Sequence, residues 1–159
     1  MNTSNIKKYA PQARNDFIAA MRKQAAKYGI TADSILPAEQ KGDLLLIGDQ
    51  VFPLSVMKPR EKLIKRIQTS SFEQTIDYIA YSWFNRLCAI RYMECKGLLD
   101  HGRRVLSSAD GSAGLPQILE ECLDIDLPGL DASRVAELKL DGNKDEELYR
   151  ELLLAQCHA

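Results

Sequence analysis

Three groups of basic residues have the types and spacing needed to contact phosphates. Lys62 is followed by cations three and four residues later, so a helix would place all three on one face. Exposed lysine and arginine side chains are sufficient for contacts to a nucleic-acid backbone. We therefore predict that these groups contact DNA phosphates or a partner, the alternative being solvated faces of amphipathic helices. The groups are Lys62, Lys65 and Arg66; Arg22 and Lys23; and Arg103 and Arg104.

Charge is unevenly distributed along the 159 residues, although the net charge is only −1. Residues 1–108 hold 17 Lys and Arg against 10 Asp and Glu, whereas residues 109–159 hold 4 against 12. A basic body of this kind can face phosphates. The acidic segment could fold back over that body, contact another basic surface, or simply be solvated.

No group of residues predicts a catalytic or metal site. Glu137 and Lys139, with Asp124 or Asp126 upstream, have the residue types of a magnesium-dependent nuclease, in which two carboxylates hold the metal. The local pattern predicts a turn and a helix there, not the paired strands that would bring those groups together. The four cysteines and two histidines also lack metal-ligand spacing. We expect free thiols and no bound metal.

The longest uninterrupted pattern predicts one central helix over residues 71–96. Ser71 can cap its start, and Gly97 supplies a left-handed residue at its end. Apolar residues form two nearly opposite stripes at helical spacing, so we predict that other elements cover the helix on both sides. The first stripe is Phe72, Ile76, Ile79, Trp83, Leu87 and Ile90, and the second is Tyr81, Phe84, Cys88, Tyr92 and Cys95.

Five residues of this helix are predicted to be structural. Trp83 and Phe84 are core or docking residues in preference to a base-stacking platform. Arg91 can reach Glu94 three residues later. Arg86 lies at the margin of the first stripe, where a carboxylate or a helix-end carbonyl can satisfy it.

The remaining elements predict a mainly α fold, an irregular helical bundle around the central helix. Helices are expected over residues 11–28, 59–69, 116–124 and 132–139, with a last helix capped by Asn143. Residues 30–42 are predicted to be mostly connector, and residues 43–54, two apolar runs around Gly48 and Asp49, to be a small β-hairpin. In the helix that begins at Pro59, Arg60 is expected to point outward with the other cations. A chain of this length fits a single domain, 1–159.

Three stretches carry a family resemblance that extends over essentially the whole chain. They are residues 5–17; residues 81–94 (Tyr81-Ser82-Trp83-Phe84-Asn85-Arg86-Leu87-Cys88-Ala89-Ile90-Arg91-Tyr92-Met93-Glu94) with Gly97, Leu99, His101, Gly102 and 104–107; and residues 152–159. In these stretches the chain resembles the N-terminal region of adenine-specific DNA methyltransferases of bacteriophage-exclusion (BREX) systems. The resemblance implies an enzyme that uses S-adenosylmethionine to mark host DNA, so that phage DNA can be distinguished.

The resemblance also implies that the catalytic domain lies C-terminal to residue 159. An adenine methyltransferase needs an Asn/Asp-Pro-Pro-aromatic motif to hold the flipped base, and this chain has no Pro-Pro pair. The loop from Gly111 to Gly114 lacks the third glycine of a cofactor-binding turn. We expect a non-catalytic helical domain, inactive alone, that supports the catalytic domain and contacts DNA.

An alternative role, from another class, is a protein-interaction module. It would dock other BREX subunits or a phage-encoded DNA mimic. The acidic surface of such a mimic would bind the basic groups that are predicted to contact DNA phosphates. The N-terminus is polar and no apolar run reaches the ~18 residues of a membrane span, so we expect a cytoplasmic protein without a membrane partner. The last helix is still apolar where the sequence ends, which suggests either that the sequence was cut or that the segment continues into a further domain.

Overall fold

The computed structural model describes residues 4–159, with side chains from residue 7 onward. It confirms a mainly α fold with a small antiparallel sheet. The helices are α1 (Ser4–Lys27), α2 (Met57–Thr69), α3 (Phe72–Lys96), α4 (Gln117–Glu120), α5 (Ala132–Asp141) and α6 (Asp145–His158). The strands are β1 (Ala38–Lys41), β2 (Leu44–Ile47) and β3 (Gln50–Pro53), and short 3₁₀ turns lie at Leu54–Val56 and Cys122–Asp124.

The chain divides into two compact units, Met1–Phe84 and Asn85–Ala159. The boundary falls inside α3, and not at residue 108, where the charge of the sequence changes sign. A single domain over residues 1–159 stays a prediction.

The first unit has two apolar clusters. One joins α1, α2 and the start of α3 and contains the buried residues Ala25, Ile30, Phe72 and Ile76. The other lies beneath the sheet, where Leu45, Ile47 and Phe52 are buried and Tyr28 packs at their edge. Alternate residues of β2 are buried, as expected for a strand with one face on the core.

The second unit has one large apolar cluster. It is built from the end of α3, the loop after it and helices α4 to α6, and Val105, Ile118, Leu138, Leu148 and Leu152 are completely buried within it. Asp131 caps α5 by accepting hydrogen bonds from the backbone N–H groups of Ser133 and Arg134.

Both ends of α3 form as the sequence predicts. Ser71 Oγ accepts a hydrogen bond from the Gln74 N–H at 3.2 Å. At the other end Gly97 has φ +67°, and the Leu98 N–H donates to the Met93 carbonyl at 2.9 Å, the hydrogen bond of a Schellman motif. A residue with a Cβ would be strained at this φ, so glycine terminates the helix.

Three predicted boundaries are wrong. Helix α1 begins at Ser4 and includes Pro11, which removes one backbone hydrogen bond from the helix but does not end it. The predicted hairpin has a third strand, β1, in what was predicted to be connector. Asn143 does not cap α6, which begins at Asp145 after Lys144 with three acidic residues in its first turn.

The second stripe of α3 is not covered, contrary to the prediction. Tyr81 and Tyr92 are 67% and 60% exposed, Cys88 and Cys95 are exposed, and only Phe84 is half-buried. Tyrosine and cysteine tolerate this exposure because each carries a polar atom that water can reach. Within the described residues, α3 therefore uses its first stripe for the core and leaves the second open.

Candidate nucleic-acid interface

Three of the predicted cations line one open groove in the first unit. Lys62, Lys65 and Arg66 lie along α2, and Gln74, Thr75 and Tyr78 of α3 also line the groove. Thr69 and Ser70, in the turn between the helices, complete a groove of about 680 Å³. We call this surface the α2 groove. The three cations share one face of α2 because they are three and four residues apart, and the short connection through Ser70 and Ser71 places α3 beside them.

No carboxylate is among the residues that line the α2 groove. The Arg66 guanidinium stacks over the Tyr78 ring, 3.8 Å from its centroid. This stacking uses the face of the guanidinium and leaves its N–H groups at the edge, where they can donate to an anion. Ser70 and Thr75 hydroxyls are hydrogen-bonded to each other at 3.1 Å and hold the turn in place.

Arg60 fixes the position of α2 and is buried, contrary to the prediction that it points outward. It is 7% exposed, its Nε donates to the Tyr28 carbonyl at 2.9 Å, and its Nη2 donates to the Leu36 carbonyl. Burial lowers the pKa of Arg60 from its ordinary value. The sequence did contain a signal, because Arg60 lies three, four and seven residues before Leu63, Ile64 and Ile67, and so on the apolar face of the helix.

Replacement of Arg60 by methionine is expected to lower the free energy of unfolding by about 1–3 kcal/mol. Methionine keeps most of the apolar stem but leaves the carbonyls of Tyr28 and Leu36 without their donor. Urea denaturation followed by circular dichroism measures the change. Lys58→Met on the exposed side of the same helix is the matched control and should change stability by less than about 0.5 kcal/mol. Equal effects of the two substitutions would contradict an anchoring role for Arg60.

The predicted cations of α1 do not belong to the α2 groove. Arg22 forms an ion pair with Glu73, and its neighbour Arg14 contacts Asp77 at 3.2 Å. Lys23 is exposed. Two carboxylates near the start of α3, Glu73 and Asp77, therefore face α1, whereas neutral residues of α3 face the α2 groove.

Arg103 and Arg104 lie in the second unit. Arg103 donates a hydrogen bond to the Glu121 carboxylate at 3.0 Å. The pKa of Glu121 is lowered chiefly by a hydrogen bond from Gln117 and, to a smaller extent, by the hydrogen bond from Arg103. Arg104 lies beside Gly111 and lines a groove of about 520 Å³ that also includes Lys96. Of the two, Arg103 is thus engaged with an acidic residue of its own unit.

Glu94 organises the loop that follows α3. Its side chain is completely buried, and Oε2 accepts the backbone N–H groups of Val105 and Leu106, each at 2.8 Å. Oε1 accepts the Ser107 hydroxyl at 3.1 Å and forms the predicted ion pair with Arg91. Burial raises the pKa of Glu94, but these four hydrogen bonds outweigh it and the net pKa is lowered. The contacts of Arg91 and Glu94 are structural.

Trp83, Phe84 and Arg86 are the remaining residues of α3 that were predicted to be structural. Phe84 packs edge to face against Phe17, with ring centroids 5.7 Å apart. Trp83 is half-buried and Arg86 is exposed. The charge of Arg86 lowers the pKa of the Cys157 thiol, but burial is the larger effect and the net pKa is raised.

The loop from Gly111 to Gly114 does not form a turn that would hold S-adenosylmethionine. It follows no strand, and the sheet within the described residues is antiparallel and lies at 38–53. Hydrogen bonds from Ser108 and Ser112 to the Asp110 carboxylate close the loop on itself and hold the pKa of Asp110 at about 2. The residues of this loop therefore do not fit S-adenosylmethionine.

Among residues 4–159, no three His, Cys, Asp or Glu side chains converge as metal ligands would. No helix in that range combines the length and apolarity needed to cross a bilayer.

Comparison with known proteins gives two relatives, whereas no protein-family model matches the chain. The adenine-specific methyltransferase BrxX of Escherichia coli O9:H4 (strain HS) is 49% identical over an alignment 166 positions long, which covers 100% of this chain and 14% of that protein. The adenine-specific methyltransferase PglX of Lacticaseibacillus casei (strain Zhang) is 30% identical over 138 residues, which cover 79% of this chain and 11% of that protein. The chain thus spans about one seventh or less of the length of these relatives.

Proposed function

We propose a function for this chain from the premise that it is homologous, along its whole length, to a segment of the adenine-specific methyltransferases of BREX systems. This relationship confirms the resemblance found in the sequence. The chain is a non-catalytic, N-terminal domain of such an enzyme, and it supports a catalytic domain further along the polypeptide. The whole enzyme methylates adenine N6 in host DNA, which separates self from phage DNA.

Within this role, the chain contacts the DNA backbone through the α2 groove. The observation that carries this proposal is the convergence of Lys62, Lys65 and Arg66 in one open groove without a carboxylate. Such a surface suits phosphates of any sequence, because it offers cations and no set of groups that would read base edges. Base recognition, base flipping and S-adenosylmethionine binding belong to the rest of the enzyme.

Binding of the chain to a short fluorescent duplex of arbitrary sequence is expected to depend steeply on salt. Three cations that neutralise three phosphates give a decrease in affinity of about 40-fold between 50 and 200 mM salt. Fluorescence anisotropy over this range measures the slope, and a duplex of unrelated sequence should give the same result. Binding that is absent at 50 mM salt, or that does not change with salt, would refute the backbone contact.

A protein partner is the alternative that the same groove allows. A strongly acidic protein that mimics DNA would use the same three cations and show a similar salt dependence. A competition experiment distinguishes the two kinds of protein partner. A DNA mimic displaces the duplex from the chain, whereas a BREX subunit that docks through apolar contacts does not.

A further inference from the structure

A second groove in the first unit, between α1 and α3, is mostly apolar. It is lined by Phe17 of α1 and by Ala80, Tyr81 and Phe84 of α3, and its volume is about 200 Å³. A cavity of about 150 Å³ with apolar walls holds a benzene-sized group, so this groove can take one phenylalanine or leucine side chain. We call it the aromatic groove.

The aromatic groove is accessible in this chain. Phe17 and Phe84 are half-buried in their edge-to-face contact, Ala80 is 3% exposed, and Tyr81 at one wall is 67% exposed. A mostly apolar concave surface that is open to solvent in this way is a candidate binding site.

The charges at the rim do not favour a nucleic acid. Arg14 is paired with Asp77 at 3.2 Å, so the cation at the rim is compensated and a carboxylate is present. A phosphate approaching the groove would meet that carboxylate. The edge-to-face arrangement of Phe17 and Phe84, at an interplanar angle of 88°, also presents no flat surface on which a base could stack.

We propose that the aromatic groove receives an apolar side chain from another part of the same methyltransferase polypeptide. This inference rests on the proposed function, in which the chain is one segment of a longer enzyme. A pocket for a single side chain gives weak affinity and would stay largely empty with a freely diffusing partner. A tethered segment is present at an effective concentration of the order of millimolar, which is sufficient to occupy it. The two curated relatives carry this segment within polypeptides about seven to nine times longer.

Hydroxyl-radical footprinting of Tyr81 tests the occupant directly. Oxidation of Tyr81 is expected to be at least about fivefold slower in the longer methyltransferase than in the isolated chain, at a concentration where the enzyme is monomeric. Unchanged oxidation would overturn the proposal. Protection that requires added duplex, or that grows with the concentration of the isolated chain, would also overturn it, because the occupant would then be DNA or a second copy.

Substitutions measure the contribution of the groove to docking. The chain and the remainder of the enzyme are mixed as separate polypeptides, and their association is measured by calorimetry. Tyr81→Asp places a charge in the groove, and Ala10→Trp fills it, because Ala10 of α1 also lines the groove. Each substitution is expected to weaken association at least about tenfold. Tyr92→Asp, an equally exposed tyrosine of α3 outside the groove, should change it less than about twofold.

The outcomes separate this proposal from the function it rests on. If the two wild-type polypeptides do not associate, both the groove assignment and the proposed supporting role fail. If they associate and Tyr81→Asp weakens association no more than Tyr92→Asp, only the groove assignment fails. Binding of the chain to duplex DNA is measured independently of either result.

Discussion

Replacement of Glu94 by alanine is expected to lower the free energy of unfolding by about 3–5 kcal/mol. The substitution removes the acceptor of two backbone N–H groups, of the Ser107 hydroxyl and of Arg91. Buried donors that lose a charged acceptor are costly, because water cannot replace it in the core. The loop at 105–107 contributes the completely buried Val105 to the apolar cluster of the second unit. Loss of the Glu94 hydrogen bonds should therefore disorder this loop and loosen the packing of that cluster.

Urea denaturation of the purified chain measures this loss. Glu151→Ala, on the exposed side of α6, is the matched control and should change stability by less than about 0.5 kcal/mol. A loss below about 1 kcal/mol for Glu94→Ala would show that the loop does not depend on this carboxylate.

The pH dependence of stability gives an independent test of Glu94. Its folded pKa lies below the ordinary value of 4.5, so its contribution is fully present above that value and is lost as the pH falls through the folded pKa. Glu94→Gln cannot ionise and has no such dependence. The difference in unfolding free energy between the wild-type chain and Glu94→Gln should therefore shrink between pH 7 and pH 3.5. A constant difference would contradict a lowered pKa.

Reversal of the three charges in the α2 groove is expected to reduce affinity for duplex DNA by at least about 100-fold at 50 mM salt. The variant Lys62→Glu, Lys65→Glu, Arg66→Glu loses three phosphate contacts, and its carboxylates repel the backbone. The slope of log affinity against log salt should also fall by about 2.7, because each lost contact removes about 0.9. Anisotropy titrations at several salt concentrations measure both quantities.

A control variant with the same change in net charge shows whether DNA affinity depends on contacts at the α2 groove or only on the net charge of the chain. Lys7, Lys8 and Lys41 are exposed and line none of the grooves described above, and the variant that replaces all three by glutamate should bind with less than about a fivefold loss. If the two variants lose affinity equally, DNA responds to net charge and the α2 groove is not its site. Circular dichroism of both variants confirms that each is folded.

The helices of this chain follow largely from local sequence. Ser71 and Gly97 set the ends of α3, because a hydroxyl cap and a left-handed glycine act on the backbone within a few residues of themselves. The contact of Arg91 with Glu94 could be predicted for the same reason, since residues three apart are neighbours on a helix. The family relationship was also readable from sequence, and the curated relatives confirm it.

Two of the errors, at β1 and at Arg60, arose where distant residues decide the outcome. Strand β1 has four exposed residues and no apolar alternation, and it forms because β2 offers it a row of backbone partners. Arg60 is buried because the carbonyls of Tyr28 and Leu36, 32 and 24 residues away, satisfy its N–H groups. The same limit applies to Glu94, whose additional partners are backbone groups 11 and 12 residues away.

The sequence by itself determined the fold class, the long helix with its two ends, and the residue types that can contact phosphates. Helix spacing already places Lys62, Lys65 and Arg66 on one face. Only the tertiary structure decided that this face borders a groove with α3, that Arg22 and Arg103 are instead paired with carboxylates, and which apolar stripe of α3 is covered. The physical reason is that helix periodicity places side chains around one axis but carries no information about which neighbour packs against each face. The α2 groove depends on that packing, because Lys62, Lys65 and Arg66 meet Tyr78 only when α2 and α3 lie side by side.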